Sequence, residues 1–168
     1  HARVFAWDPV EKEWVKRGED IDGEAAGDQS GISVSLSADG TTLAVGAWGN
    51  DGAGDRAGHA RVFAWDPVEK EWVKRGEDID GEAAGDWSGW SMSLSADGTA
   101  LAVGAFNNDG GPGSDAGHAR VFAWDPVEKK WKQRGDDIDG EAANDWSGRS
   151  VSLSADGTAL AVGAPYND

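Results

Sequence analysis

Carboxylates and asparagine amides gather in two glycine-rich loops of this sequence, and such groups could bind a cation. One loop contains Asp51 and Asp55, and the other contains Asp109 and Asp115 around a Gly-Gly-Pro-Gly turn. Oxygen donors of this kind suit Ca²⁺, which takes about six to eight of them. Neither loop has the spacing of a complete calcium site, so the alternative is an acidic rim whose Asp, Asn and Gly serve turn geometry. The candidate calcium ligands are therefore Asp51, Asp55, Asp109 and Asp115, and no other cofactor is indicated.

Groups that could perform catalysis are not arranged as an active site. The sequence has no nucleophile elbow, no HExxH pair and no phosphate-binding loop. Its many serines have no positioned base, and near-identical units do not supply the asymmetric set of tuned groups that catalysis needs. His1, His59 and His118 recur at the head of one strand, where we expect each to cap the strand rather than to bind a metal. The sequence predicts a protein that is not an enzyme.

The elements that must position these groups come from an internal repeat. The string HARVFAWDPVEK occurs three times and divides the chain into units 1–58, 59–117 and a truncated 118–168. Alternating apolar residues predict four strands per unit, which in the first unit are 2–7, 14–21, 32–37 and 42–47. An Ala-Asp-Gly turn joins the last two as a hairpin. The pattern predicts an all-β fold, a β-propeller of four-stranded antiparallel blades, with a β-solenoid or separate small modules as the alternative.

The bulk composition excludes several kinds of partner. The chain has 31 Asp and Glu against 15 Lys and Arg, for a net charge of −16. An acidic surface argues against nucleic acid, because phosphate binding needs a basic patch. There is no cysteine, hence no disulfide framework and no cysteine-based zinc site. No apolar run approaches the length of a membrane span, so we expect no membrane insertion.

The order of motifs in each unit resembles the FG-GAP repeat of the integrin α-subunit propeller. The third unit is closest to that pattern, with Ser147-Gly148, then Ala155-Asp156-Gly157, then Gly163-Ala164-Pro165. The resemblance covers all three units and implies a propeller, a role in adhesion and an extracellular or cell-surface location. The family often carries a DxDxDGxxD calcium loop between its first two strands. Here that place holds only a short Ser-Ala-Asp-Gly turn, so the family's calcium site does not carry over.

The resemblance also sets the register of the blades, because the family's blade begins at the Ser-Gly strand. With the strands lettered a to d, the chain opens with c and d, continues with two complete blades and closes with a and b, three blade-equivalents in all. Each half-blade would leave an unpaired edge. We expect a homo-oligomer that completes the ring head to tail, a dimer giving six blades or a trimer giving nine. The alternative, which the absence of an initial Met favours, is a piece of a longer array that closes within one chain.

Differences among the units concentrate at four positions. They are Gln29/Trp87/Trp146, Ile32/Trp90/Arg149, Trp48/Phe106/Pro165 and Gly49/Asn107/Tyr166. A core would resist such swaps, since cavities and overpacking cost about 1–5 kcal/mol each, so these side chains are predicted to face solvent or a groove. All four positions lie in the d–a and b–c connections, which share one face of a propeller. That face also holds an acidic group comprising Glu19, Asp20, Asp22, Glu24 and Asp28.

Exposed aromatic rings beside polar groups are typical of binding surfaces. The sequence therefore predicts a non-catalytic binding or adhesion module that engages a protein or glycan ligand through this face. The candidate ligand contacts are Gln29, Ile32, Trp48, Trp87, Trp90, Phe106, Asn107, Trp146, Arg149 and Tyr166. Neutral drift in a duplicated array and a purely structural, self-assembling role are the alternatives.

Overall fold

The computed structural model describes residues 1–167 and contains only strands, turns and irregular segments in that range. The strands are β1 (Phe5–Asp8), β2 (Glu13–Lys16), β3 (Ser33–Leu36), β4 (Thr42–Ala47), β5 (His59–Asp66), β6 (Glu71–Lys74), β7 (Ile79–Asp80), β8 (Ser91–Leu94), β9 (Ala100–Ala105), β10 (His118–Asp125), β11 (Lys130–Gln133), β12 (Ile138–Asp139), β13 (Ser150–Leu153) and β14 (Leu160–Gly163). All pairings between them are antiparallel. The all-β antiparallel prediction is confirmed.

The strands form two complete sheets between two hairpins. The complete sheets have the orders β3-β4-β5-β6 and β8-β9-β10-β11, and the hairpins are β1-β2 at the start and β13-β14 at the end. This is the order expected from the Ser-Gly register, with strands c and d first and strands a and b last. Among the first strands of successive sheets, β8 contacts both β3 and β13, which places the sheets side by side as in a series of blades.

The fourth strand of each blade is interrupted, whereas the sequence predicted one continuous strand. In the first complete blade β6 pairs with the second half of β5, and β7 pairs with its first two residues. Between them Gly76 has a φ of +87°, outside the extended region. The four residues between β6 and β7 therefore lie opposite only two residues of β5, and this bulge interrupts the continuous strand pairing that the sequence predicted. The same break lies between β11 and β12.

The core lies between neighbouring blades rather than inside any one of them. Val62 and Ile79 of the first complete blade pack against Leu94, Leu101 and Phe122 of the second, with the half-buried Trp131 beside them. A second cluster joins the opening hairpin to the first complete blade and contains Val4, Ile21, Leu43, Val45 and Phe63. Since a single blade buries little apolar surface, each depends on its neighbour for stability.

Serines of strand a form hydrogen bonds between blades. Ser33 Oγ donates to the carbonyl oxygen of Gly89 at 2.7 Å, and Ser91 Oγ donates to that of Gly148 at 2.7 Å. In the other direction Ser35 Oγ accepts the Leu94 N–H at 2.9 Å. The serine face that alternates with the apolar residues of strand a is therefore the face that pairs one blade with the next.

An arginine at the end of each fourth strand holds the tryptophan pair of the next blade. The guanidinium of Arg17 lies 4.6 Å from the centroid of the Trp65 ring, and its carbonyl oxygen accepts the indole N–H of Trp72 at 2.9 Å. Arg75 makes the same contacts with Trp124 and Trp131. These arginines and tryptophans lie at junctions, away from the variable residues.

The two ends of the structure expose surfaces that are buried at the internal junctions. Phe5 is 43% exposed, whereas its equivalents Phe63 and Phe122 are 8% and 7% exposed. At the other end Ile138 is 43% exposed, against 5% for Ile79. Within residues 1–167 there is no helix with the length and apolar character needed to cross a membrane.

Candidate functional site

The loop from strand d to strand a is shaped by a buried aspartate. Asp86 Oδ2 accepts the backbone N–H groups of Glu82 at 3.1 Å and Ala83 at 2.8 Å. Asp28 and Asp145 accept the equivalent bonds in the other two units, and all three aspartates are buried. The sequence placed Asp28 in an exposed acidic group, and its burial corrects that placement. The reason is local, since the carboxylate satisfies amides that the tight turn leaves free.

The aromatic residues of the d–a and b–c connections form one continuous strip. We call this set the aromatic strip: Trp48, Trp87, Trp90, Phe106, Trp146 and Tyr166. Successive ring centroids lie 4.7 Å apart for Trp48–Trp87, 5.3 Å for Trp87–Phe106, 5.4 Å for Phe106–Trp146 and 4.6 Å for Trp146–Tyr166. Trp90 packs edge-on against Phe106 at 5.0 Å. Residues from both kinds of connection therefore meet on one face, as the blade topology predicted.

Members of the aromatic strip differ in exposure. Phe106 is buried at 2%, which corrects the expectation that it faces solvent. Trp48, Trp87, Trp90 and Trp146 are half-buried, and Tyr166 is exposed. Phe106 thus serves as the base on which the tryptophans pack, while the tryptophans keep part of each ring accessible. Rings fixed on one side lose little freedom on contact with a ligand.

Two tryptophans of the strip adopt a backbone conformation that is unfavourable for such residues. Trp87 and Trp146 each have a φ of +57°, in the left-handed region. That region costs about 1–2 kcal/mol for a residue with a Cβ. In the first unit Gln29 has the same conformation, so the loop geometry is kept while the side chain changes. Lys12, Lys70 and Lys129 in the constant c–d turns have similar φ values, so the conformation belongs to the turns of the repeat.

The positively charged side chain of Arg149 packs against the rings of the strip. The guanidinium of Arg149 lies 4.5 Å from the Phe106 ring centroid and 4.6 Å from that of Trp90. Asn107 is half-buried and donates from Nδ2 to the carbonyl oxygen of Gly85 at 2.8 Å, so it fixes the neighbouring loop. Both residues were predicted ligand contacts. Arg149 is positioned by the rings it packs against, and Asn107 by its hydrogen bond to Gly85.

Of the three predicted contacts of the first unit, Trp48 belongs to the strip, and Gln29 and Ile32 lie outside its ring-to-ring contacts. Gln29 and Ile32 are exposed on the first d–a connection, which carries no aromatic side chain. At the opposite end Trp146 and Tyr166 line a pocket of 470 Å³ together with Ala143, Asn144 and Pro165. The strip therefore begins near Trp48 and ends at an open pocket. Whether these residues contact a ligand stays a prediction.

Two of the four candidate calcium ligands, Asp51 and Asp109, accept hydrogen bonds within their own loops. Asp51 Oδ1 accepts the backbone N–H of Arg56 at 2.8 Å. Asp109 Oδ1 accepts the Asp115 N–H at 2.9 Å and the Ser114 hydroxyl at 3.2 Å. Asp55 is exposed. These bonds serve the turns, and a calcium site at these aspartates stays a prediction.

His59 and His118, the histidines of the second and third units, are buried, although a residue that only caps a strand need not be. The side chains of His59 and His118 are each 1% exposed. Burial lowers the pKa of both imidazoles, and it is the largest influence on each. His1, at the same position of the first unit, remains exposed. Because the His-Ala-Arg string is identical in the three units, the sequence did not distinguish the two buried histidines from the exposed one.

Comparison with known proteins identifies the repeat and the fold. A family model described as the FG-GAP repeat matches residues 21–63, which include β3 and β4. No curated protein sequence matches the chain. The chain is similar to the periplasmic gluconolactonase PpgL of Pseudomonas aeruginosa, with a TM-score of 0.52, 19% identity, and coverage of 95% of this chain and 42% of that one. At this identity the similarity shows a propeller-like fold alone.

A second solved structure is more distant. It is the hydrazine synthase of Kuenenia stuttgartiensis, with a TM-score of 0.47, 15% identity, and coverage of 86% of this chain and 32% of that one. The chain spans less than half the length of either protein. The motif order and the family match agree, and the chain carries an FG-GAP repeat at residues 21–63.

Proposed function

We propose that this chain is a non-catalytic propeller module that binds a protein or glycan ligand through the aromatic strip. The observation that supports the proposal is the convergence of the variable positions. The aromatic residues at the variable positions, which lie far apart in the sequence, join in one continuous set of ring contacts. Elsewhere the units are nearly identical, so the strip is where the chain departs from its own repeat.

The chemistry of the strip suits recognition. Half-buried tryptophans offer large, rigid contact areas, and such residues dominate the binding energy of many interfaces. The acidic side chain of Asp109 is exposed on a flanking loop and could accept hydrogen bonds from hydroxyl or amide groups of a ligand. FG-GAP repeats typically occur in extracellular or periplasmic proteins, and we propose an extracellular or cell-surface setting for this one, with an adhesion role.

The test replaces the accessible rings. Trp87, Trp90 and Trp146 are changed to Ala together, and the variant and the parent are applied to glycan and protein arrays. We expect at least a tenfold loss of the strongest signal, with the β-sheet circular dichroism retained. The matched control is Trp7→Ala, which removes a tryptophan that is 50% exposed and lies outside the strip. Binding that survives the triple change, or that is lost equally in the control, would contradict the proposal.

A second function, self-assembly, is favoured by the matched exposure of the two ends. In the complete blade β4 pairs with β5 so that Ala47 lies opposite His59 and Leu43 opposite Phe63. The same register would set Ala164 of one copy opposite His1 of the next, and Leu160 opposite Phe5. The closing hairpin and the opening hairpin would then form one blade, in a head-to-tail contact.

The junction contacts support the same pairing. Arg134 corresponds to Arg17 and Arg75, and it lines a 190 Å³ cleft with apolar residues including Leu153 and Leu160. The exposed Trp14 corresponds to Trp72 and Trp131, whose indoles fill the internal junctions. A second copy would therefore place Trp14 in the cleft beside Arg134. Two copies give a six-bladed ring and three give nine, and we propose the dimer.

Assembly is tested by light scattering over a range of protein concentrations. We expect a dimer that Trp14→Ala converts to a monomer, because the variant removes the ring that would enter the cleft. Val10→Ser is the control, since Val10 is 81% exposed in the hairpin turn and away from the cleft. A monomer at every concentration would contradict the assembly proposal. It would not contradict the ligand-binding proposal, which does not depend on a second copy.

A further inference from the structure

Two identical clusters of a histidine and two carboxylates lie at the internal junctions between units. We call them the histidine clusters: Glu24, His59 and Asp78, and Glu82, His118 and Asp137. In each, one nitrogen of the imidazole and one oxygen of each carboxylate lie within 4.8 Å of one another. The glutamate comes from one unit, and the histidine and aspartate from the next. Neither cluster contains a residue of the aromatic strip.

The imidazole of His118 is directed into its cluster without a hydrogen bond. Its side chain is 1% exposed, and neither ring nitrogen has a hydrogen-bond partner among residues 1–167. Nδ1 lies 3.9 Å from Glu82 Oε2 and 3.8 Å from Asp137 Oδ2. These separations are too long for hydrogen bonds. A buried imidazole without partners is unfavourable, so a bound group that engages Nδ1 would explain its position.

The two carboxylates are held so that one oxygen of each faces the imidazole. Arg120 Nη1 lies 3.5 Å from Glu82 Oε1, and Gln133 Nε2 donates to Asp137 Oδ1 at 2.6 Å. Those contacts engage one oxygen of each carboxylate, and the other oxygen, Glu82 Oε2 or Asp137 Oδ2, faces the histidine. Outer partners that orient ligating side chains in this way are a regular feature of metal sites.

The first cluster repeats the arrangement. His59 is equally buried, and its Nδ1 lies 3.9 Å from Glu24 Oε2. Arg61 Nη1 lies 3.7 Å from the other oxygen, Glu24 Oε1, and Lys74 Nζ lies 2.7 Å from Asp78 Oδ1. Nε2 of His59 has no hydrogen-bond partner in the described part of the chain. The same three residue types thus come together at both internal junctions.

We propose that each histidine cluster binds one divalent first-row transition-metal ion through the histidine Nδ1 and one oxygen from each carboxylate. An imidazole nitrogen with two carboxylate oxygens suits Zn²⁺ and its neighbours, whereas Ca²⁺ and Mg²⁺ prefer oxygen alone. Ligand atoms around a tetrahedral ion with bonds of about 2 Å lie about 3.3 Å apart, so the distances of 3.9 Å and 3.8 Å from His118 Nδ1 to the two carboxylate oxygens would have to shorten by roughly half an ångström. The ion would tie the glutamate of one unit to the next unit, which goes beyond the proposed ligand-binding function.

The experiment titrates chelator-treated protein with Zn²⁺ in a calorimeter, at a concentration where light scattering reports a monomer. We expect two Zn²⁺ per chain and a rise in the melting temperature. Co²⁺ in place of Zn²⁺ should give visible absorption bands of a four- or five-coordinate ion, and Ca²⁺ should give no comparable heat.

The variants are Glu24→Gln and Glu82→Gln, singly and together. Both glutamate side chains are 44% exposed and Gln has the same shape as Glu, so each change is expected to keep the fold while removing a ligand charge. We expect each single variant to lose one ion and the double variant to lose both. Glu77→Gln is the control, because Glu77 is exposed beside Asp78 and belongs to neither cluster. Absence of Zn²⁺ binding in the parent, or two ions retained by the double variant, would overturn the proposal.

Discussion

Trp131 donates its indole N–H to the backbone carbonyl of Arg75 at 2.9 Å, across the junction between the two complete blades. The guanidinium of the same arginine lies over the ring of Trp124, 4.7 Å from its centroid. One residue thus holds both tryptophans of the next hairpin, and Arg17 does so at the preceding junction. These tryptophans stabilise the packing of blades, whereas those of the aromatic strip are available to a ligand.

Replacing Trp131 by Phe should lower the free energy of unfolding by about 1–2 kcal/mol, because the carbonyl of Arg75 loses its buried donor. Urea denaturation measures the change. Trp14→Phe, at the equivalent but 67% exposed position, should change stability by less than about 0.5 kcal/mol. The comparison is made where light scattering reports a monomer. Equal effects at the two positions would show that the indole bond contributes nothing.

Ser35→Ala should destabilise the protein by about 1–2 kcal/mol, since it leaves the Leu94 N–H without its acceptor between two blades. Ser152 occupies the same position in the third unit and is exposed, so Ser152→Ala serves as the matched control. We expect the control to stay within about 0.5 kcal/mol of the parent in chemical denaturation. The role assigned to the serine face would be wrong if both variants matched the parent.

Gly89→Ala should destabilise far more than Gly85→Ala. Both glycines have positive φ values, +82° and +88°, so an added Cβ is strained at either position by about 1–2 kcal/mol. At Gly89 the Cβ would also overlap the carbonyl oxygen of His59, whereas at Gly85 it would meet open space. The difference between the two melting temperatures isolates that overlap, and similar values would show that the backbone can yield there.

Acid should remove a stabilising contribution from the a–b turns. The Ser37 hydroxyl and the Thr41 backbone N–H and hydroxyl donate to Asp39, and these bonds lower the pKa of Asp39 from 3.8 to about 2. Because the unfolded chain binds the proton first, this contribution is complete above pH 3.8 and is lost as the pH falls through 2. Asp39→Asn should therefore flatten the dependence of unfolding free energy on pH in that window. Parallel curves for variant and parent would contradict the lowered pKa.

The strand order was predictable because it depends on short local signals. Ser-Gly before an alternating strand and Asp-Gly within a hairpin fixed where each blade begins, and the sheets of the structure follow that register. The break in the fourth strand was missed, because it depends on the left-handed conformation of Gly76, which apolar alternation does not reveal. The exposure of Val34, compared with the buried Met92 at the same position, depends on a neighbouring blade and not on the residue itself.

The candidate site was predictable only in outline. Comparing the units indicated which positions vary and which face they share, and the ring contacts of the strip agree with that face. The burial of Phe106 depends on which rings of adjacent units meet, and the burial of Asp86 on which amides its loop leaves free. The pairing of Glu82 with His118 likewise joins residues of two units. Such contacts arise from packing over long sequence separations, and no local pattern encodes them.

The arginine–tryptophan contact recurs with the same partners at both internal junctions. An extra unit inserted by tandem duplication would therefore meet each neighbour with a surface that already fits. The array can lengthen without a new interface having to evolve, because the arginine and both tryptophans are present in every copy of the repeat. The positions that diverge are loop positions, where rings of adjacent units meet in the aromatic strip, and they give one duplicated unit several different faces.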